Sequence, residues 1–388
     1  MARGFVLAVL AALAGCVHAS TEPPREVAVA PTPTIVPVVS PAETTPPQPP
    51  QPQPLPPCIY KAEPPALPPV LKQPKTGTCR RAPPAITRAM NAEIHKQWLR
   101  EWPTGRIEIR PGCDRLAPAL ASVVIEQNHG HGGSVSLLRL SRRPDGDHDL
   151  VLIEYNHYYR MDTMTAAGAR PIDIHHAKIA AATVAPLLAR LRAAAHVEIQ
   201  EHEPPPDSNA AMMGHGSSND YQVALQLADD RGHGVKRAFV GYSGSGPEQA
   251  DGVPLAIAAE TVDLFLADPT LRATFTAVGT DDPAARDLFA RVFWAVQARQ
   301  EGDAAWYVRE RLIAMAASLG SAQHIPALLA LLREPPGRPG EDRMLVSAID
   351  ALTAITAYDR RRDPDGTLRP PAQVAADLLA ACAAPTAR

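Results

Sequence analysis

Proline decides where this chain can fold. Of its 42 prolines, 21 lie between Pro23 and Pro84, mixed with Thr, Gln, Val and Ala. Each proline removes a backbone donor and fixes φ, and the segment has few large side chains to bury. It is therefore expected to stay extended and partly polyproline II, at about 3.1 Å per residue. In that state residues 17–57 reach up to roughly 120 Å. Packing is expected to begin near Ile86. The chain has 388 residues and 45% hydrophobic content, enough for a real core and two or three domains. Its net charge of −3 supplies no basic field, so no nucleic-acid partner is expected.

Ahead of the prolines stands one basic residue, Arg3, then a short apolar run from Phe5 to Leu13. A positive start, an apolar run too short to span a bilayer and a small-residue exit make a secretory signal. Its ending, Leu13-Ala14-Gly15-Cys16, resembles the lipobox of bacterial lipoproteins. That resemblance implies removal of residues 1–15 and lipidation of Cys16. Residues 16–84 then become a lipidated cysteine followed by a proline-rich disordered stalk. It also implies the membrane as a partner through acyl chains alone, and a cell-envelope location. Val17 rather than Asp follows the cysteine, which by the sorting rule of some Gram-negative lipoproteins points to the outer membrane.

Four further cysteines, Cys58, Cys79, Cys113 and Cys382, allow three disulfide pairings, and the sequence does not choose among them. Cys58 and Cys79 bracket a segment poor in core, where a staple helps most, so their pairing is the expectation. Cys382, in an alanine-rich stretch, reads as a small buried hydrophobe.

Within 85–268 the patterns are mixed. Thr87–Trp102 has helical spacing, Arg106–Arg110 alternates like a strand, and Asp114 is expected to cap a helix to Gln127 with Leu116, Leu120, Val123 and Val124 inward. Two hairpins follow: Val135–Leu140 with Leu150–Tyr155, and Gln222–Leu227 with Arg237–Tyr242. Each leads to a similar stretch, Ile179–Leu188 and Ile257–Leu266, sharing Ile, Ala, Ala, Thr, Val and a final Leu. The fold class expected is α+β: a duplicated β-β-α unit (135–188 and 222–266) forming a four-stranded antiparallel sheet with helices on one face. Residues 203–219 read as an exposed loop.

After Asp268 only helical periodicity remains, in 284–299, 303–319, 324–332, 343–357 and 371–382. The run Val308–Leu332, a helix, a short turn and a Pro-started Leu-rich helix, resembles a HEAT repeat, with a second pair about 40 residues on. The resemblance implies an all-α HEAT-like domain over 269–388. Fewer than three repeats are not self-supporting, so the block is expected to pack on the α+β layer or on helix 284–299.

No catalytic motif survives inspection. Gly241-Tyr-Ser-Gly-Ser-Gly246 has Ser245 in place of the last glycine of Gly-x-Ser-x-Gly, and a proline follows where a helix must start. Asp145-Gly-Asp-His-Asp149 opens like a calcium loop but lacks the glycine and glutamate that complete one. His157, Asp162, Asp173, His175 and His176 crowd the connection 156–178, whose counterpart in the second hairpin unit has no histidine. Imidazole and carboxylate suit zinc or another transition metal when three or four converge. Two readings follow. The first is a lipid-anchored, non-catalytic binding or scaffold module with a protein partner and no cofactor. The alternative is a metal-binding protein or metal-dependent hydrolase using 156–178.

Overall fold

The computed structural model describes residues 80–81, 88, 107–111, 113–129, 134–156, 172–201, 220–242, 252–297, 303–333, 341–359, 361–363 and 365–382. Of the stalk, only Arg80 and Arg81 fall among them. Of the helix expected over 87–102, only Arg88 does.

The strands and helices follow in chain order. Strands β1 (Arg80–Arg81), β2 (Ile107–Pro111), β3 (Cys113–Asp114), β4 (Leu120–His129), β5 (Ser134–Arg142), β6 (His148–Asn156) and β7 (Ile172–Ile179) precede helix α1 (Ala181–His196). Then come β8 (Val197–Glu201), β9 (Asp220–Asp229), β10 (Gly234–Tyr242), α2 (Gly252–Ala267), α3 (Pro269–Arg272) and β11 (Thr276–Ala277). Helices α4 (Pro283–Gln297), α5 (Asp303–Leu319), α6 (Ile325–Arg333), α7 (Glu341–Thr356) and α8 (Pro371–Ala381) complete the chain.

The fold is α+β. Its centre is a seven-stranded antiparallel sheet ordered β10-β9-β4-β5-β6-β7-β11, flanked by two-stranded pairs β1-β3 and β2-β8. Both faces are covered. Val123, Ile125, Leu138, Leu152 and Ile179 face a core made with α1 and α2, through Val184, Leu187, Leu191 and Val262. Val124, Leu137, Ile153 and Ile174 face the opposite core, shared with Phe289, Phe293, Leu312 and Leu352 of the helical block. Helices on one face only is thus an expectation the structure corrects. The five C-terminal helices lie within a few residues of the stretches read as helical, and α4 packs directly on β5 and β6.

Helix α1 lies across the strands. A sixteen-residue helix is about 24 Å long, enough to cover the four strand spacings from β6 to β10, about 19 Å at about 4.8 Å each. Accordingly α1 starts beside the β5–β6 turn, where Asp147 Oδ1 accepts from the Ala181 N–H, and ends beside β10, where Arg237 donates to the Ala195 carbonyl. Its C-terminal end is fixed by one carboxylate. Asp114 accepts from the Leu116 N–H and from the Arg192 guanidinium, with His196 Nε2 at 3.2 Å, an ion-pair contact rather than an aligned hydrogen bond. Arg192 also donates to the Leu116, Ala117 and Pro118 carbonyls.

Two segments differ from expectation. The residues read as a helix over 114–127 instead form the end of β3, a short connection and, from Leu120, the central strand β4. Val123 and Val124 are both buried yet point into opposite cores, because a doubly covered strand is apolar on both sides and loses its period-two signature. Pro118 also stands inside the helix that was expected. The second is β7, which lies where a loop was expected.

Both hairpins form at the expected residues, but β4 separates them, so they are not neighbours. Strands β5 and β9 both run antiparallel to β4, hence in one direction, and Leu138 and Leu225 face the same core. Strand β6 nevertheless lies to one side of its partner and β10 to the other. In the register of the sequence likeness the two hairpins therefore turn to opposite flanks. The helix likeness is also out of step, since Ile179 closes β7 while Ile257 lies inside α2.

Candidate functional site: one end of the central sheet

The two ends of the sheet are built differently. At one end β5 joins β6 and β9 joins β10 through tight turns, with Gly146 and Gly232 at φ +93° and +74°, where side chains are strained. The acidic turn is internally satisfied. Arg143 contacts Asp145 and Asp149, and Lys178 contacts Asp145 and Asp147. This pairing explains the Asp145–Asp149 pattern without a cation.

At the other end β4, β6 and β10 finish while β5, β7 and β9 begin. The connections 130–133, 157–171 and 243–251 leave from there, and 202–219 arrives there. Three of them, 157–171, 202–219 and 243–251, are long, and long connections on a rigid scaffold are where binding residues concentrate.

The central strand turns polar toward this end. Glu126, Gln127 and Asn128 are all buried, although three adjacent polar residues usually mark a surface. Gln127 Nε2 donates to Asp263 of α2 at 2.8 Å on one face. On the other face Arg311 of α5, 1% exposed, donates to Asn128 Oδ1. Among the described residues Asn128 Nδ2 and Gln127 Oε1 have no hydrogen-bond partner. The helical block thus meets the sheet through a buried guanidinium beside a half-satisfied amide, a site where polarity costs stability unless it is used.

Of the five residues read as candidate metal ligands, His157 and Asp162 lie outside the described residues. Asp173, His175 and His176 are on β7 rather than in a loop. Successive strand residues point to opposite faces, and these do. His175 Nε2 lies 3.7 Å from Glu154, whose carboxylate accepts both terminal nitrogens of Arg272 at 2.8 and 3.0 Å. His176 Nε2 instead sits 3.0 Å from Asp282 Oδ1 on the other face, and that oxygen also caps α4 through the Ala285 N–H. His175 and His176 therefore do not converge on one ion. Among the described residues no group of three or more histidine, cysteine, aspartate or glutamate side chains is arranged to hold a metal.

Cys16, Cys58 and Cys79 lie outside the described residues. Cys113 and Cys382 are each disulfide-bonded, so Cys382 is buried as expected but is not a free thiol. A Cys58–Cys79 pair is compatible with this only if Cys113 and Cys382 bond each other. Of the Gly241–Gly246 stretch, Gly241 and Tyr242 end β10 and the rest lies outside the described residues. No helix among the described residues is long and apolar enough to cross a membrane.

Sequence reasoning missed the polar contacts that join distant segments. Arg311 and Asn128 are 183 residues apart, and Arg272 and Glu154 118 apart. The one local signal was the Glu126-Gln-Asn128 run closing an apolar stretch. No known family model matches the chain, and no curated protein or solved structure is significantly similar to it.

Proposed function

We propose that this chain is a lipid-anchored protein of the bacterial cell envelope, held at the outer membrane through Cys16. In this reading it works as a non-catalytic binding or scaffold module whose binding face is the sheet end just described. The observation that carries the reading is the asymmetry of the sheet: the three longer connections, 157–171, 202–219 and 243–251, join its strands at one end, where β4 is buried and polar, and tight turns join them at the other. Disulfide-bonded Cys113 and Cys382 support export to an oxidising compartment. The proline-rich stretch serves as the tether that lets the face reach a protein partner away from the membrane.

In the same reading α5 with α6, and α7 with α8, are two HEAT-like pairs, too few to stand alone and supported by the sheet they share a core with. The likeness of 135–155 to 222–242 is taken as one of pattern, two hairpins of equal length, rather than of superposable copies.

Replacing the lipidated residue tests the anchor. Cys16→Ser should shift the protein from the membrane fraction to the soluble periplasmic fraction and abolish incorporation of labelled fatty acid. A variant that still carries lipid and sediments with membranes contradicts the anchor.

A further inference from the structure

The two side edges of the sheet are finished differently. At one, β7 pairs with β11 at His175 and His176. At the other, β10 pairs with β9 along its whole length, and among the described residues no strand lies beyond it. Nine residues make a long edge, and such edges are ordinarily blunted by proline, by a bulge or by charge. Strand β10 has no proline, and its register against β9 runs without a shift. Its charges are confined to Lys236 and Arg237, and Arg237 reaches the Ala195 carbonyl while Lys236 is exposed.

The turn before β10 fixes which backbone groups the edge offers. The Asp229 N–H donates to the His233 carbonyl, so this pair is hydrogen-bonded and the pairs alternate from there. Val235, Arg237, Phe239 and Gly241 therefore bond to their opposites on β9, Leu227, Leu225, Val223 and Tyr221. Gly234, Lys236, Ala238, Val240 and Tyr242 turn their N–H and carbonyl groups outward.

We infer that β10 pairs with β10 of a second copy of this chain, antiparallel about a two-fold axis through Ala238, so that two seven-stranded sheets become one. Ala238 is the middle residue of the strand, and this register overlaps all nine. It sets Gly234 opposite Tyr242, Lys236 opposite Val240 and Ala238 opposite itself, so every outward-facing residue enters a hydrogen-bonded pair. Charge selects the direction. A parallel, in-register pairing sets Lys236 beside Lys236 and Arg237 beside Arg237, and like charges directly opposite are destabilising. In the antiparallel register the two Lys236 stand four residues apart along the strands, about 13 Å at about 3.3 Å each. That exceeds the screening length of about 8 Å at physiological salt. The pairing uses a side of the sheet and leaves its ends open, so it neither rests on the lipid anchor nor competes with the partner proposed above.

The test is sedimentation velocity over a concentration series on the full mature protein carrying Cys16→Ser, with free thiols alkylated. It should sediment as a dimer. Ala238→Pro should weaken association at least tenfold with unchanged circular dichroism, because the Ala238 N–H points away from β9 and proline is tolerated at such edge positions. Val240→Lys sets lysine opposite Lys236 and should weaken association too, and adding Lys236→Glu should restore it. Restoration by the charge swap reports the register, which a folding defect cannot imitate. A monomer at every concentration overturns the inference, and slow exchange of the Ala238 amide in that monomer would place the chain's own residues on the edge. A dimer that neither Ala238→Pro nor Val240→Lys weakens overturns it as well, and so does a charge swap that restores nothing.

Discussion

Asp114 does the most with a single side chain. Burial pushes its carboxyl upward, but the close His196 imidazole and the hydrogen-bonded Arg192 guanidinium outweigh that and hold it at about 2. A folded value depressed from 3.8 stabilises the protein above pH 4, and the gain is lost as pH falls through about 2. The shift corresponds to about 2 kcal/mol. Asp114→Asn should therefore lower stability by about 2 kcal/mol at pH 7 and flatten the acid limb below pH 4, measured by urea unfolding across pH. Equal loss at every pH would mean that packing, not charge, carries the effect. His324 also loses stability on acidification, but at higher pH and from a neutral native state. It sits 1% exposed among Phe289, Phe293 and Trp294, accepts from the Ser321 N–H through Nδ1, and is pushed down by burial to about 4. Because its folded value lies below the unfolded 6.5, the imidazole is neutral in the native state. Stability is full above pH 6.5 and falls between 6.5 and about 4 as the unfolded chain takes the proton. His324→Gln keeps an acceptor and cannot titrate there, so the fall in Tm from pH 7 to 4.5 should be shallower than in the wild type. An unchanged slope would assign that acid sensitivity elsewhere.

Elements were legible in proportion to how one-sided they are. Among the C-terminal helices α4 buries one stripe and could be read from spacing, with Ala285, Leu288, Phe289, Val292, Phe293 and Val296 on the inner face, whereas α5 is buried without a break from Glu310 to Ala316. The hairpins were legible because turn residues at Asp145-Gly146 and Arg231-Gly232 punctuate them. Strand β4 was not, since cores on both sides made Leu120, Val123 and Val124 coincide with helical spacing. Strand β7 was hidden differently. Ile172 and Ile174 enter one core, Ala177 and Ile179 the other, and the polar residues between them read as a loop. Of the candidate site, the histidines and carboxylates were visible as composition, but which face each takes depends on β7 being a strand. The Arg311–Asn128 contact required the topology itself.

At the scale of the whole molecule, the sheet serves two partners at once. One core binds helices α1 and α2, the other binds the helical block, and the residues expected to form two separate domains share the second core. Strand β11, beyond Asp268, even adds itself to the sheet edge at His175 and His176. What remains for function is the pair of sheet ends, and only one carries long connections. The central claim is that this end faces the partner. Photo-crosslinking in intact cells tests it most directly, with p-benzoylphenylalanine placed at exposed Asp173 near that end and at exposed Asp230 in the turn at the other. The account predicts a discrete crosslinked adduct from position 173 and none from position 230. Adducts from 230 alone, or the same adduct from both, would contradict it.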